Sequence, residues 1–304
     1  MTEKQAGMSA LAMAYARAYH ATHESPGIFD DFLAKDLFTP EELAERDRMW
    51  AGMLQYLAPE LASTNPDPAT AAGLVIQLTN GPITLPRSRY AEDRLEESIQ
   101  RGVRQYVILG AGFDTFAYRR PDLAARLQIF ELDHPATQAI KRERVAAAGW
   151  PHPKNLHFIP VDFTRESLAD TLGRSPYRAD QAGFFSWLGV SYYLTREVVL
   201  ATLQSIASTA ARGSTVVFDY LHTDAYDPEK AGKRMQQMQH MAAQLGEPMK
   251  SGFDPLAFAS ALEPLGLRLV ENLDPAAIEA RYFQGRSDRY HAVEHFHYAK
   301  AVVV

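Results

Sequence analysis

The sequence predicts an α/β fold built on a mostly parallel sheet with helices on both faces. Three observations predict it. From about Tyr90 onward, short apolar runs alternate with helical stretches; the first ninety residues carry a helical pattern; and 304 residues with 46% hydrophobic content can bury one sizeable core.

Taken in order, SALAMAYARAYHATH places Leu11, Met13, Ala14 and Ala18 at helical spacing. Thr39, Pro40, Glu41 and Glu42 read as an N-cap, a first-turn proline and an acidic first turn, opening a segment that runs to about Ala62. AEDRLEESIQRG is an amphipathic helix ending at Gly102. Strand-like runs follow: YVILG (106–110), LQIFELD (127–133), LHFIPVDF (156–163), GFFSWLG (183–189) and STVVFDY (214–220). Helical HPATQAIKRERVAAA, TRESLADTLG and REVVLATLQSIASTAARG lie between them.

After Tyr220 a polar stretch from His222 to Asp254, containing Met235, Met238 and Met241, interrupts the alternation as an inserted helix with flexible ends. The chain resumes with helical DPLAFASALEPLG, strand LRLVENL, a loop rich in Arg and Tyr, and a last strand, HFHYAKAVVV. That ending adds an antiparallel hairpin to the sheet edge. The expected division is therefore a single domain: a helical cap (1–89), a ligand-binding core (90–220), a lid-like insertion (221–254) and a C-terminal completion of the sheet (255–304).

Composition removes several classes of function. With 37 acidic against 31 basic residues and a formal charge of −6, the chain has no electrostatic footprint for nucleic acid. It has no cysteine, which removes disulfides, thiolate zinc sites and a Cys nucleophile. No apolar run reaches 18 residues and the N-terminal stretch is not a signal peptide, so a cytoplasmic protein without a membrane span is expected. The oligomeric state is not set by any feature of the sequence.

Ligands of a parallel sheet lie beyond the carboxyl ends of its strands. The first strand-to-helix turn, LGAGFDT, has Gly110 and Gly112, which permit a tight bend and a close ligand. A dinucleotide fingerprint wants a third glycine where Thr115 stands, and Asp114 would repel a pyrophosphate. Asp133, at the end of the second strand, suits the two hydroxyls of a ribose. Asp162 at the end of the third suits an adenine amine, and Phe163 the face of the ring. The three tips outline an adenosine, a part shared by NAD and S-adenosylmethionine.

LGAGFDTFAYR, FELDHPATQAIKRERV, FIPVDFTRESLADTL and FFSWLGVSYYLTREVV resemble successive blocks of the leucine carboxyl methyltransferase family, in its bacterial S-adenosylmethionine-dependent branch. GIFDDFLAKDLF and LPRSRYAEDRLEESIQRGVRQ resemble its opening segment and its Arg-rich helix. The resemblance covers nearly the whole chain. It implies a Rossmann-like class I methyltransferase fold with an N-terminal cap and S-adenosylmethionine as cofactor. It also implies that Arg89, or its neighbour Arg87, grips the methionine carboxylate. Gly110 and Gly112 would then form the bend below, Asp133 would hold the ribose, and Asp162 with Phe163 would bracket the adenine. Leu188 departs from the eukaryotic branch, which has an acid near that position.

Trp187, Tyr192 and Tyr193 follow the fourth strand, where a small-molecule methyl acceptor would lie. The expected chemistry is O-methyl transfer to a carboxylate or hydroxyl, with no catalytic base assignable. The alternatives are a nicotinamide-dependent oxidoreductase and a regulatory module that binds the cofactor without catalysis. Asp114 and Thr115 are expected to cap a helix, Arg119 to be structural, and Glu131 to be a strand-end acid without a ligand. His291, His295 and His297 are read as strand and loop residues without a metal.

Overall fold

The computed structural model describes residues 7–163, 165–244 and 246–304; residues 1–6 of the expected cap lie outside them. Its strands are β1 (Gln105–Leu109), β2 (Gln128–Asp133), β3 (Leu156–Pro160), β4 (Phe184–Trp187), β5 (Thr215–Leu221), β6 (Leu267–Leu273) and β7 (Phe296–Val303). They form one sheet in the order β3-β2-β1-β4-β5-β7-β6. β1 to β5 run parallel, while β7 is antiparallel to both β5 and β6. The expected hairpin is thus present, with its second strand next to β5 and β6 at the edge.

The longer helices are α1 (Met8–His23), α2 (Pro40–Ala51), α3 (Pro68–Leu78), α4 (Gly81–Gln100), α5 (Pro135–Ala147), α6 (Arg196–Thr209), α7 (Gly232–Gln244) and α8 (Pro255–Leu262). Side chains alternate across β1, so Tyr106 and Ile108 join one apolar layer and Val107 and Leu109 the other. Leu95 and Ile99 of α4 cover the first layer; Leu203 of α6 and Phe258 of α8 cover the second. Every residue of β1, β4 and β5 is buried, as a sheet covered on both faces requires.

Local chemistry explains the element ends. Thr39 accepts from the Glu42 amide at 3.2 Å while Glu42 Oε2 accepts from the Thr39 amide at 2.9 Å, a reciprocal cap with Pro40 in the first turn. The segment does not continue to Ala62 as one helix. It breaks after Ala51 at Gly52 and resumes as single turns, Leu54–Leu57 and Pro59–Ala62. Pro59 has no amide proton to carry a helix through, so it can only start a new turn.

α1, α2 and α3 share an apolar cluster that includes Leu11, Tyr15, Trp50, Val75 and Ile76, together with Phe113 of the glycine turn. The cap is therefore packed against the loop that follows β1. In the insertion, Met235 and Met238 are buried in a cluster with Ile83, Tyr192, Leu221 and Phe296. That packing leaves Met241 as the one half-buried member of the expected methionine surface.

Of the three histidines of interest, His291 stands apart, while His295 and His297 both lie beside His222. His291 bonds Glu279 at 3.0 Å on the surface, whereas His297 is buried on β7, stacked on Tyr220 at 5.0 Å. Among the described residues no group of three or more His, Asp or Glu could hold a metal ion. Burial, helped by the neighbouring His222, lowers the His297 ring from 6.5 to about 4. The folded chain thus keeps it neutral while the unfolded chain takes up a proton, so its contribution is intact above the ordinary histidine value and lost as pH falls below it. His297→Phe, which retains the ring stack, is expected to remove about 1 kcal/mol of the stability loss between pH 7.5 and 5.5. Urea unfolding at the two pH values measures it, and equal pH sensitivity in both proteins would contradict it.

Candidate active site

The strand order reverses between β1, which leads to β2, and β4, which leads to β5. Brought together at the carboxyl ends there are the turn after β1, the end of β2, the end of β3 and the loop after β4. Leu109 lies opposite Leu132, and the amides of Gly110 and Ala111 both donate to the Leu132 carbonyl, at 2.9 and 3.2 Å. This folds the turn back toward β2.

Gly110 and Gly112 have φ of +69° and +51°, in the left-handed region that favours glycine. A Cβ at Gly110 would stand 2.9 Å from Val190 Cγ2, and one at Gly112 would stand 3.2 Å from the Ala10 Cβ of α1. Both glycines are thus favoured by conformation, and a side chain at either would crowd its neighbour. The Gly112 amide donates to Asp133 Oδ2 at 2.5 Å and the His134 amide to Oδ1 at 2.6 Å. Each oxygen keeps a second lone pair, so the carboxylate can still accept from two hydroxyls. Burial raises the Asp133 pKa, and the two amide bonds act against that rise.

The Val161 amide donates to the Asp133 carbonyl at 2.8 Å, which brings the end of β3 beside the end of β2. Asp162 is half-buried there, with Arg165 Nε 3.5 Å from its Oδ2. Phe163 is 48% exposed at the rim. Asp133, Asp162 and both glycines accordingly lie at adjacent strand tips on the same edge of the sheet.

Arg89 does not reach it. Its guanidinium is half exposed and bonded to Asp93 at 2.7 Å, while Arg87, two residues earlier and about 200° around the helix, points inward. Arg87 is buried, with Nη1 donating to Tyr192 Oη at 3.0 Å and to Asp219 Oδ2 at 3.1 Å. Gly189 lies directly under it: φ is +72° and a Cβ there would come within 2.6 Å of Nη2. Trp187 turns into the sheet core with Leu109 and Leu132, and Tyr192 is buried as a partner of Arg87. Of the three aromatics expected to face an acceptor, only Tyr193 keeps exposed surface.

Gly189 and Asp219 were not read from the sequence. Asp219 is the central residue of an ordinary-looking strand, FDY, and its partner Arg87 is far away along the chain. A carboxylate inside a run that is otherwise buried was the only available signal.

The flanking charges are structural. Asp114 Oδ1 accepts from the Phe116 amide at 2.8 Å as a local cap, whereas Thr115 donates instead to Asp31 at 2.6 Å. Asp31 also accepts from Arg17 Nε at 2.8 Å, and Arg17 Nη2 donates to the Phe113 carbonyl at 2.7 Å. Arg119 pairs with Glu92. Glu131 is buried and paired with Lys141. Leu188 packs against the apolar layer under α4.

The sheet order, with β7 antiparallel between β5 and β6, is that of a Rossmann-like class I methyltransferase fold. The comparisons carry this further. Residues 10–207 match the family described as leucine carboxyl methyltransferase. The chain belongs to the leucine carboxyl methyltransferase family. It is 38% identical over 303 residues, 99% of each chain, to YktD of Bacillus subtilis (strain 168), whose name classes it provisionally as an S-adenosyl-L-methionine-dependent methyltransferase. A Mycobacterium avium (strain 104) protein with the same provisional class is 28% identical over 239 residues, covering 78% of this chain and 72% of its own. A crystal structure of a Streptomyces avermitilis DUF574 family protein shares the fold, with TM-score 0.55, 13% identity and coverage of 96% and 97%. Family membership sets aside the nicotinamide alternative.

Proposed function

We propose that this methyltransferase acts on an oxygen of a small organic acceptor, forming a methyl ester or ether. The observation that carries the reading is the clustering of Gly110, Gly112, Asp133 and Asp162 at neighbouring strand tips, with Arg87 buried beside the loop after β4. Nε and Nη2 of Arg87 make no hydrogen bond to the described residues, so they remain available to the carboxylate of the methionine arm, in the role first expected of Arg89. Asp133 would hold the ribose hydroxyls, and Asp162 with Phe163 would hold the adenine. When bound, S-adenosylmethionine supplies an activated methyl group.

The remaining work belongs to the chain. It must hold the acceptor oxygen in line with the methyl group and exclude water, tasks this reading assigns to Tyr193, α1 and the insertion. Ser9 of α1 donates to Glu247 of the insertion at 3.3 Å, which joins the two covers. A carboxylate acceptor is already ionised at neutral pH and needs no base. Among the described residues no helix is long and apolar enough to cross a membrane.

The test is transfer from cofactor carrying a radiolabelled methyl group to a panel of carboxylic acids and phenols. Product that releases methanol in mild base is an ester, and resistant product is an ether. No labelled product from any member, in a protein that binds the cofactor, would support the non-catalytic reading instead.

A further inference from the structure

We propose that Asp219 is a positioning residue: it holds Arg87 by one end of the guanidinium, so that the other end faces the carboxylate of the cofactor's methionine arm. The proposal rests on the reading of Arg87 given above. Asp219 is fully buried on β5, and both of its carboxylate oxygens are committed. Oδ2 accepts from Arg87 Nη1 at 3.1 Å, and Oδ1 accepts from the Gly189 amide at 2.7 Å. Its carbonyl accepts from Ser191 Oγ at 2.5 Å. One residue thereby fixes the loop after β4 at two points and the arginine at a third.

The bonds are all on one side of the guanidinium. Tyr192 Oη takes Nη1 as well, at 3.0 Å, and Gly189 leaves room for the plane to lie against the backbone. Nε and Nη2 are left without protein partners among the described residues, in a geometry that presents two parallel donors to an incoming carboxylate. A pair placed for stability alone gains little, because two charges taken out of water lose about as much as their attraction returns. Orientation of the arginine is what the arrangement provides. The pair also carries no net charge, which suits the zwitterionic amino-acid end of the cofactor.

The test compares two ligands by calorimetry. S-adenosylhomocysteine has the amino-acid arm, and 5′-methylthioadenosine has the same nucleoside and thioether without it. Asp219→Asn keeps an acceptor for Gly189 but removes the charge that orients Arg87. It is expected to weaken S-adenosylhomocysteine at least tenfold and to change methylthioadenosine less than twofold. Arg87→Met should show the same split, and the double variant should be no weaker than the worse single one.

Equal weakening of both ligands by Asp219→Asn would overturn the proposal, since general loosening of the loop predicts that. If Arg87→Met weakens S-adenosylhomocysteine selectively and Asp219→Asn does not, the positioning role falls and the Arg87 reading stands. If Arg87→Met leaves S-adenosylhomocysteine unchanged while methylthioadenosine still binds, the Arg87 reading itself falls. Should Asp219→Asn not fold, Asp219→Glu takes its place, with the charge kept and displaced by one methylene. Selective loss of S-adenosylhomocysteine binding again supports the proposal, and an equal loss of both overturns it.

Discussion

Lys141→Met is expected to destabilise the fold by about 3 to 5 kcal/mol at pH 8, because it strands the buried carboxylate of Glu131. Both side chains are nearly inaccessible, and Glu131 Oε1 already has no hydrogen-bond partner among the described residues. Burial pushes the Glu131 carboxyl up to about 7 even with Lys141 beside it. The folded state therefore holds a proton that the unfolded chain has given up, and this group's contribution falls as pH rises from the ordinary carboxylate range toward 7. The loss caused by Lys141→Met should accordingly be smaller at pH 6, where Glu131 is neutralised, than at pH 8. Adding Glu131→Gln should restore most of the difference. Urea denaturation of the wild type and the two variants at both pH values decides it, and an identical loss at pH 6 and 8 would contradict the electrostatic origin.

Asp133→Ala is expected to weaken S-adenosylhomocysteine binding by about 1 to 3 kcal/mol, roughly 5- to 150-fold, with the far-ultraviolet spectrum unchanged. The carboxylate sits at the end of β2 with one lone pair left on each oxygen. Loss of charged hydrogen bonds to two hydroxyls sets the size of the effect. Calorimetry measures it, and an unchanged affinity would remove Asp133 from the ribose role.

Much of the candidate site was legible because its signals are local. Gly110 and Gly112 sit within one turn, and Asp133 and Asp162 each end a run whose apolar content marks it as a strand. Thr39 and Glu42 announce a helix start within four residues. What was not legible depends on rotation or on distance. Arg87 and Arg89 differ by two positions on one helix, and only packing decides which turns inward. Trp187 ends a strand at the same edge of the sheet, yet the pleat sends its side chain into the core. Asp219 matters because of Arg87 and Gly189, and no periodicity in β5 reports a partner on α4. Gly52 shows the same limit at smaller scale: a helical pattern continued past it, and the chain bent there instead.

The position of α1 has a kinetic consequence. Its Ala10 lies against Gly112, and its Arg17 is tied to the Phe113 carbonyl, so the helix is fastened to the turn proposed to underlie the nucleoside. On the proposed site, any movement of the helix would disturb the turn that the guest rests on. Exchange of spent for fresh donor would then be tied to motion of that helix, and improving the methyl recipient would raise turnover only up to the rate of that motion.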